Sequence, residues 1–131
     1  MGVPHQLTVS GSATLGPIQP TACPFPSSTS AISLATMRTC QVARADSVSF
    51  NTPGPGWTSL IAGLTISAVR FLVIRVQSGS LILRVTSAAG GVALLPVSDF
   101  LVLSLPIAGT ELTAVDAQGT ANMELIVAGD P

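Results

Sequence analysis

The sequence predicts an all-β protein: an antiparallel β-sandwich, jelly-roll-like, behind an extended, proline-rich N-terminal arm. Three observations lead there. Short runs rich in Val, Ile, Leu and Thr are separated by turn signals about every 8–12 residues, the spacing of sandwiches and barrels. No amphipathic helix pattern follows residue 46. Pro17, Pro20, Pro24 and Pro26 crowd one stretch near the start, and proline, with its fixed φ and missing N–H, is excluded from helix interiors and central strands.

Taken in order, residues 1–33 read as the arm and residues 34–131 as the β domain. The arm carries Ile18, Phe25 and Ile32; it reads either as a disordered tail or as an arm ordered along a neighbouring subunit, where those apolar side chains gain by burial. The stretch SLATMRTCQVARA, from Ser33, admits a short helix but favours strand, because Thr, Cys and Val suit a pleated surface. DSVSFNT alternates Val48 and Phe50 against serines. Pro53 to Trp57 is a loop of turn residues. TSLIAGLTIS and VRFLVIRV follow as a strand pair, or as one strand after a bend near Ala68.

The segment from Arg70 to Val85, RFLVIRVQSGSLILRV, reads as a hairpin whose two apolar arms flank Gln77-Ser78-Gly79-Ser80. Leu72, Ile74 and Val76 share one face, and Phe71 and Val73 the other. Both faces look dry, so one of them is expected to be covered by other protein molecules. Gly90-Gly91 marks a turn, VALLP a short strand up to Pro96, and DFLVLSL another up to Pro106. The chain then reads as two strands around AQGT, residues 117–120. In the last, Met123, Leu125 and Val127 oppose Asn122, Glu124 and Ile126.

Composition removes several function classes. The chain has 131 residues, 8% of them charged, with a net charge of −1, against about 25% charged in ordinary soluble domains. The basic residues are all arginine and lie scattered from Arg38 to Arg84. They form no basic stripe with interleaved aromatics, so nucleic acid is not an expected partner. The longest apolar stretch is interrupted by Arg70 and Arg75, so no membrane span is expected. The first residues lack the charged and apolar regions of a secretory signal, which predicts synthesis in the cytoplasm. Cys23 and Cys40 are then expected as free thiols, and their spacing is no zinc pattern.

Catalytic chemistry is not expected either. The sole histidine, His5, stands beside Pro4 in the arm, away from any carboxylate it would need for acid–base work. Glu111 and Asp116 fall an odd number of residues apart on one expected strand, so pleating points them to opposite faces. A cupin-type metal site would need several histidines, and a phosphate loop would need a lysine that the chain lacks. No catalytic residue, cofactor or metal is assigned. Trp57 suits a core or interface plug better than a sugar platform. The arginines read either as solvated strand ends or as partners in bidentate pairs with the carboxylates of neighbours, with Arg75 and Arg84 the candidates for the second.

Three pieces, VRFLVIRVQSGSLILRV, GGVALLPVSDFLVL and ELTAVDAQGTANMELIVAGDP, carry a resemblance. With the Gly119-Thr120-Ala121 turn and the closing Gly129-Asp130, the chain from Arg70 onward resembles small virion structural proteins of tailed bacteriophages, of the capsid decoration (cement) type. The resemblance implies a non-enzymatic protein that braces the phage head from outside. It further implies a homotrimer, with the major capsid protein or other virion proteins as partners, and a virion location after synthesis in the host. The interface residues expected on this reading are Ile18, Phe25, Ile32, Phe71, Val73, Arg75 and Arg84. The alternative is a tail or fibre component acting as a receptor- or carbohydrate-binding module, for which Asn51 to Ser59 is the qualifying loop.

Overall fold

A computed structural model describes residues 4–15, 30–105 and 107–131. It is all-β, with no helix among the described residues. The strands are β1 (His5–Leu15), β2 (Ser30–Cys40), β3 (Val42–Thr52), β4 (Thr58–Ser59), β5 (Ala68–Ser87), β6 (Val92–Val97), β7 (Phe100–Ser104) and β8 (Leu112–Asp130). They form two sheets within two compact units, Gln6–Thr39 and a larger one containing Cys40–Pro131.

The smaller unit holds the two-stranded sheet of β1 and β2. In β1, Leu7 and Val9 are half-buried between exposed Gln6, Thr8 and Ser10, the alternation of a strand with one covered face. The expected boundary at residue 33 therefore falls inside β2, and His5–Leu15 pairs within the chain. The proline-rich stretch with Ile18, Cys23 and Phe25 lies outside the described residues, as does the side chain of Ile32. Cys40 is buried.

In the larger unit the pairing is antiparallel throughout. β8 is flanked by β5 on one side and by β3 and β4 on the other, and β5 by β8 and by β6 and β7. β3 and β4 run end to end along β8, and β6 and β7 run end to end along β5. The interruptions coincide. Thr52 pairs with Gly119, Gly119 with Leu81, and Leu81 with Val97. One crease thus crosses all four rows, through the Pro53–Trp57 loop, Gly119, the Gln77–Ser80 segment and Ser98-Asp99.

The crease corrects two expectations. Gln77–Ser80 is not the turn of a hairpin but a bend inside one 20-residue strand. Its register against β8 shifts between Val76 and Ser78, where Gln77 is the extra residue of a bulge. The inward residues accordingly change parity, from Leu72, Ile74 and Val76 to Leu81, Leu83 and Val85. Likewise AQGT does not separate two strands. β8 runs unbroken through it for 19 residues. Gly79 and Gly119 are the residues that permit this: both have positive φ, and a Cβ on Gly79 would lie 2.1 Å from Thr120 O. With no side chain, the backbones stay paired through the bend.

The core lies on one face of this sheet. Val69, Leu72, Ile74, Leu83, Val115, Ala117 and Val127 are fully buried there, with Met123 and Leu125 nearly so. Phe50 of β3 and Val97 of β6 join them. The expected strand over TSLIAGLTIS is only β4. The rest is turn, from which Leu60 and Ile66 plug the core. The alternation read for Met123, Leu125 and Val127 against Asn122, Glu124 and Ile126 holds, the first three being buried and the others partly or fully exposed.

Candidate interaction surface

The opposite face of the sheet carries the candidate site. Cross-strand pairing sets its side chains in rows. From β3 through β8 and β5 to β7 these read Ala43, Ala128, Phe71, Ser104; then Ala45, Ile126, Val73, Val102; then Ser47, Glu124, Arg75, Phe100. Each row is small at the β3 edge. The second and third end in a large apolar residue on β7. Phe100 is 66% exposed and Val102 39%. A shallow depression of about 310 Å³ lies between, lined by Ala45, Val73, Arg75, Glu124 and Ile126 among others.

Beyond the crease the same face continues. Ile82 pairs with Pro96, Arg84 with Leu94 and Thr86 with Val92, and Ile82, Leu94 and Val92 are exposed. The edge formed by β6 and β7 thus presents Val92, Leu94, Pro96, Phe100 and Val102 outward along nearly its whole length. A sheet edge with exposed apolar side chains is a template for association unless it is covered.

The crease itself is polar on this side. Thr120 Oγ1 donates to Asn51 Oδ1 at 3.1 Å, Asn122 Nδ2 to Ser78 Oγ at 3.0 Å, and Gln77 Nε2 to Glu124 Oε1 at 3.0 Å. Gln118 Nε2 donates to Gly56 O at 2.9 Å and ties the proline loop to β8.

The charges are mostly spent within the chain. Arg44 bonds Asp46 at 2.9 Å and Leu60 O at 3.2 Å. Arg70 lies 3.3 Å from Glu111 and 3.5 Å from Asp130. Arg84 donates through Nε and Nη2 to one oxygen of Asp116, at 3.3 and 3.0 Å. Its guanidinium also sits 4.4 Å from the centroid of the Trp57 ring, within cation–π range. Arg75 is different. Its closest approach to Glu124 is 3.9 Å, its side chain is 69% exposed, and it makes no hydrogen bond among the described residues. The hydrogen bond from Arg44, then the Ser47 N–H, holds the Asp46 carboxyl below its usual value. The N–H groups of Glu111 itself and of Gly109 do the same for Glu111, with the charge of Arg70 adding to the effect.

The sequence-expected residues divide on this map. Val73 and Arg75 stand together on the outward face. Phe71 shares their side but is fully buried within the chain, so it is corrected from an exposed interface residue to a packing one. Arg84 faces outward but has Asp116 and Trp57 as in-chain partners. Phe100, Val102, Leu94 and Val92 went unread, although the all-apolar alternation of FLVL in β7 carries the signal: Leu101 and Leu103 pack on the core and their neighbours must point away. Among the described residues no group of three or more His, Cys, Asp and Glu side chains is placed to hold a metal ion. No helix among them is long and apolar enough to cross a membrane.

No family model, curated protein or solved structure matches this chain.

Proposed function

We propose that the chain is a non-enzymatic structural component of a virus particle, a capsid decoration protein whose copies assemble by covering one another's apolar sheet surface. The observation that carries this reading is the outward row of Val92, Leu94, Phe100 and Val102, each at least 39% exposed. Full burial of such side chains contributes about 1.5–3 kcal/mol each, before the cost of association. The carboxylates are largely committed to in-chain arginines, which supports a scaffold over a reaction centre. The trimer, the capsid protein as partner and the virion location belong to the same proposal.

The finer architecture is proposed with it. A straight 20-residue strand would reach about 65 Å, several times the ~14 Å radius of gyration of a compact chain this long. A crease at one level in all four rows supports a sheet folded on itself as a jelly-roll-like sandwich. A two-stranded ribbon such as β1–β2 is marginal alone. That supports a leader, with Ile18, Phe25 and Ile32, that gains its cover from other subunits.

Sedimentation of the isolated protein and binding to empty phage shells test the proposal, with residues 1–33 present or deleted. Oligomers that bind shells, and lose binding on deletion, are expected. A monomer that ignores shells overturns it.

A further inference from the structure

We infer that the open edge of β6 pairs with the same edge of a second copy of this chain about a two-fold axis, joining two sheets into one. β6 ends the path of the sheet, and its Val92, Ala93, Leu94 and Pro96 are all exposed. Register decides which backbone groups face outward. The Ser87 N–H donates to Gly91 O at 2.8 Å. Counting on from there, Val85 with Ala93, Leu83 with Leu95 and Leu81 with Val97 are the hydrogen-bonded pairs between β5 and β6. The intervening Val92, Leu94 and Pro96 turn their backbone groups away from β5. Proline thus sits where the ladder needs no N–H. The N–H and C=O groups of Val92 and Leu94 meet no partner among the described residues and can receive an added strand.

Two independent features select a second copy and its register. The first is the pattern of donors. A two-fold axis passing between the two Ala93 residues sets Val92 of each copy against Leu94 of the other. Each N–H then donates to the facing carbonyl, and every contact occurs twice. An axis at Val92 would set Leu94 against Gly90, whose N–H is already given to Ser87 O. An axis at Leu94 would set Val92 against Pro96, which cannot donate. The second feature is shape. With the axis at Ala93, Leu95 of one copy faces Gly91 of the other on the core side of the sheet. A depression of about 290 Å³ lies there, lined by Val85, Gly91, Ala93 and Leu112 among others. A large side chain opposite none fills it. On the outward side, Val92 and Leu94, 61% and 59% exposed in the single chain, cover one another across the axis.

The inference rests on the reading that copies of the chain cover one another's sheets, and its test is separable from that reading. Amide exchange followed by NMR on the parent chain reads the contact directly. The Val92 and Leu94 N–H groups are expected to exchange freely in dilute monomer and to slow at least about tenfold as sedimentation shows the dimer filling. The Ala93 N–H, bonded to β5, should stay protected throughout. Leu94→Pro removes an edge N–H and leaves the ladder with β5 whole, as Pro96 does. In dilute protein it is expected to melt like Leu94→Ala, which loses the same side chain but keeps the N–H. Its dimer is expected to dissociate at least about tenfold more readily than that of Leu94→Ala. Gly91→Val, whose Cβ would meet nothing nearer than Ser87 Oγ at 3.4 Å, occupies the depression and is expected to weaken the dimer likewise. A parent that stays monomeric, Val92 and Leu94 amides that exchange freely in the dimer, a Leu94→Pro chain that associates as well as Leu94→Ala, or a Gly91→Val chain that dimerises like the parent each overturn the inference. A parent that binds phage shells, or forms a trimer, with those amides still unprotected overturns it as well, while leaving the proposed role in the particle standing.

Discussion

Three glycine substitutions separate the physical demands placed on this backbone. Gly63 and Gly79 have nearly the same φ, +80° and +83°, but different surroundings. A Cβ on Gly63 would meet nothing within 4 Å, whereas one on Gly79 would lie 2.1 Å from Thr120 O and 2.9 Å from Ala121 Cα. Gly129 lacks the positive φ but would place a Cβ 2.0 Å from Ala68 O. Gly63→Ala therefore imposes left-handed strain alone, about 1–2 kcal/mol, part of it offset by the stiffer unfolded chain. Gly129→Ala imposes a backbone clash alone, roughly 1–3 kcal/mol. Gly79→Ala imposes both, roughly 2–5 kcal/mol.

Neither clash is relieved by a rotamer change, because the opposing atoms are backbone on the paired strand. Relief means opening the ladder between β5 and β8 at the crease or at the strand's start. At about 4 °C per kcal/mol for a chain of this size, Gly79→Ala is expected to lower Tm by roughly 8–20 °C. Thermal melts followed by far-UV circular dichroism give the order directly: Gly79→Ala lowest, then Gly129→Ala, then Gly63→Ala. A Gly79→Ala protein melting within a few degrees of the Gly63→Ala protein would refute the reasoning. The crease would then not be a place where two backbones are held together by the absence of a side chain.

Other outcomes follow from the same map. Phe71→Ala, at a fully buried site, is expected to cost about 3–5 kcal/mol in urea unfolding. Phe100→Ala, in protein dilute enough to be monomeric, should change stability by no more than about 0.5 kcal/mol; equal losses would contradict the burial assigned to the two rings. Arg84→Ala uncovers the ring of the only tryptophan and leaves Asp116 unpaired. A red shift in emission and a loss of about 1 kcal/mol are expected, and an unchanged spectrum would place the guanidinium elsewhere. Asp46 and Glu111 titrate below their ordinary 3.8 and 4.5 in the folded chain. Their contribution to stability is thus complete above those values and is lost as pH falls through the lowered ones. Urea midpoints flat from pH 7 to about 5 and falling below about 4.5 are expected. In Asp46→Asn and Glu111→Gln proteins that acid-side fall should be shallower.

Much of the fold was legible because strand periodicity is local. Leu72, Ile74 and Val76, or Met123, Leu125 and Val127, declare a buried face from spacing alone. The Gly90-Gly91 and Pro53–Trp57 turns are also local, set by residue types that few other structures accept. What escaped depends on distant partners. A small polar tetrapeptide between apolar runs looks the same in a hairpin turn as in a bulged bend. Only its pairing with Thr120–Asn122 decides between them. The change of parity from Val76 to Leu81 was the available hint, since an inserted residue shifts the apolar set by one. The arginines escaped for the same reason: Arg70 and Glu111 are 41 residues apart, and Arg84 and Asp116 are 32 apart. Which carboxylate each meets is a property of register, and register is fixed by the whole sheet.

The polar crease bears on how a chain with so few charges presents so much apolar surface. Val92, Leu94 and Ile82 lie on one side of it, and Phe100, Val102, Val73 and Ile126 on the other. Between them run Asn51, Thr120, Ser78, Asn122 and Gln77, bonded to one another or to Glu124. A continuous apolar face would be sticky toward any hydrophobic surface, because area burial has no direction. Divided by a hydrogen-bonded belt, the face becomes two smaller patches, and a partner that spans both must also satisfy the belt. Only the patch beside β7 adds an arginine and a glutamate that are both exposed, Arg75 and Glu124. The patch beside β6 has its arginine already committed to Asp116 and Trp57. The two halves of one sheet therefore have different capacities: the first holds a charge still available to a partner, and the second has turned its charge inward to hold the proline loop.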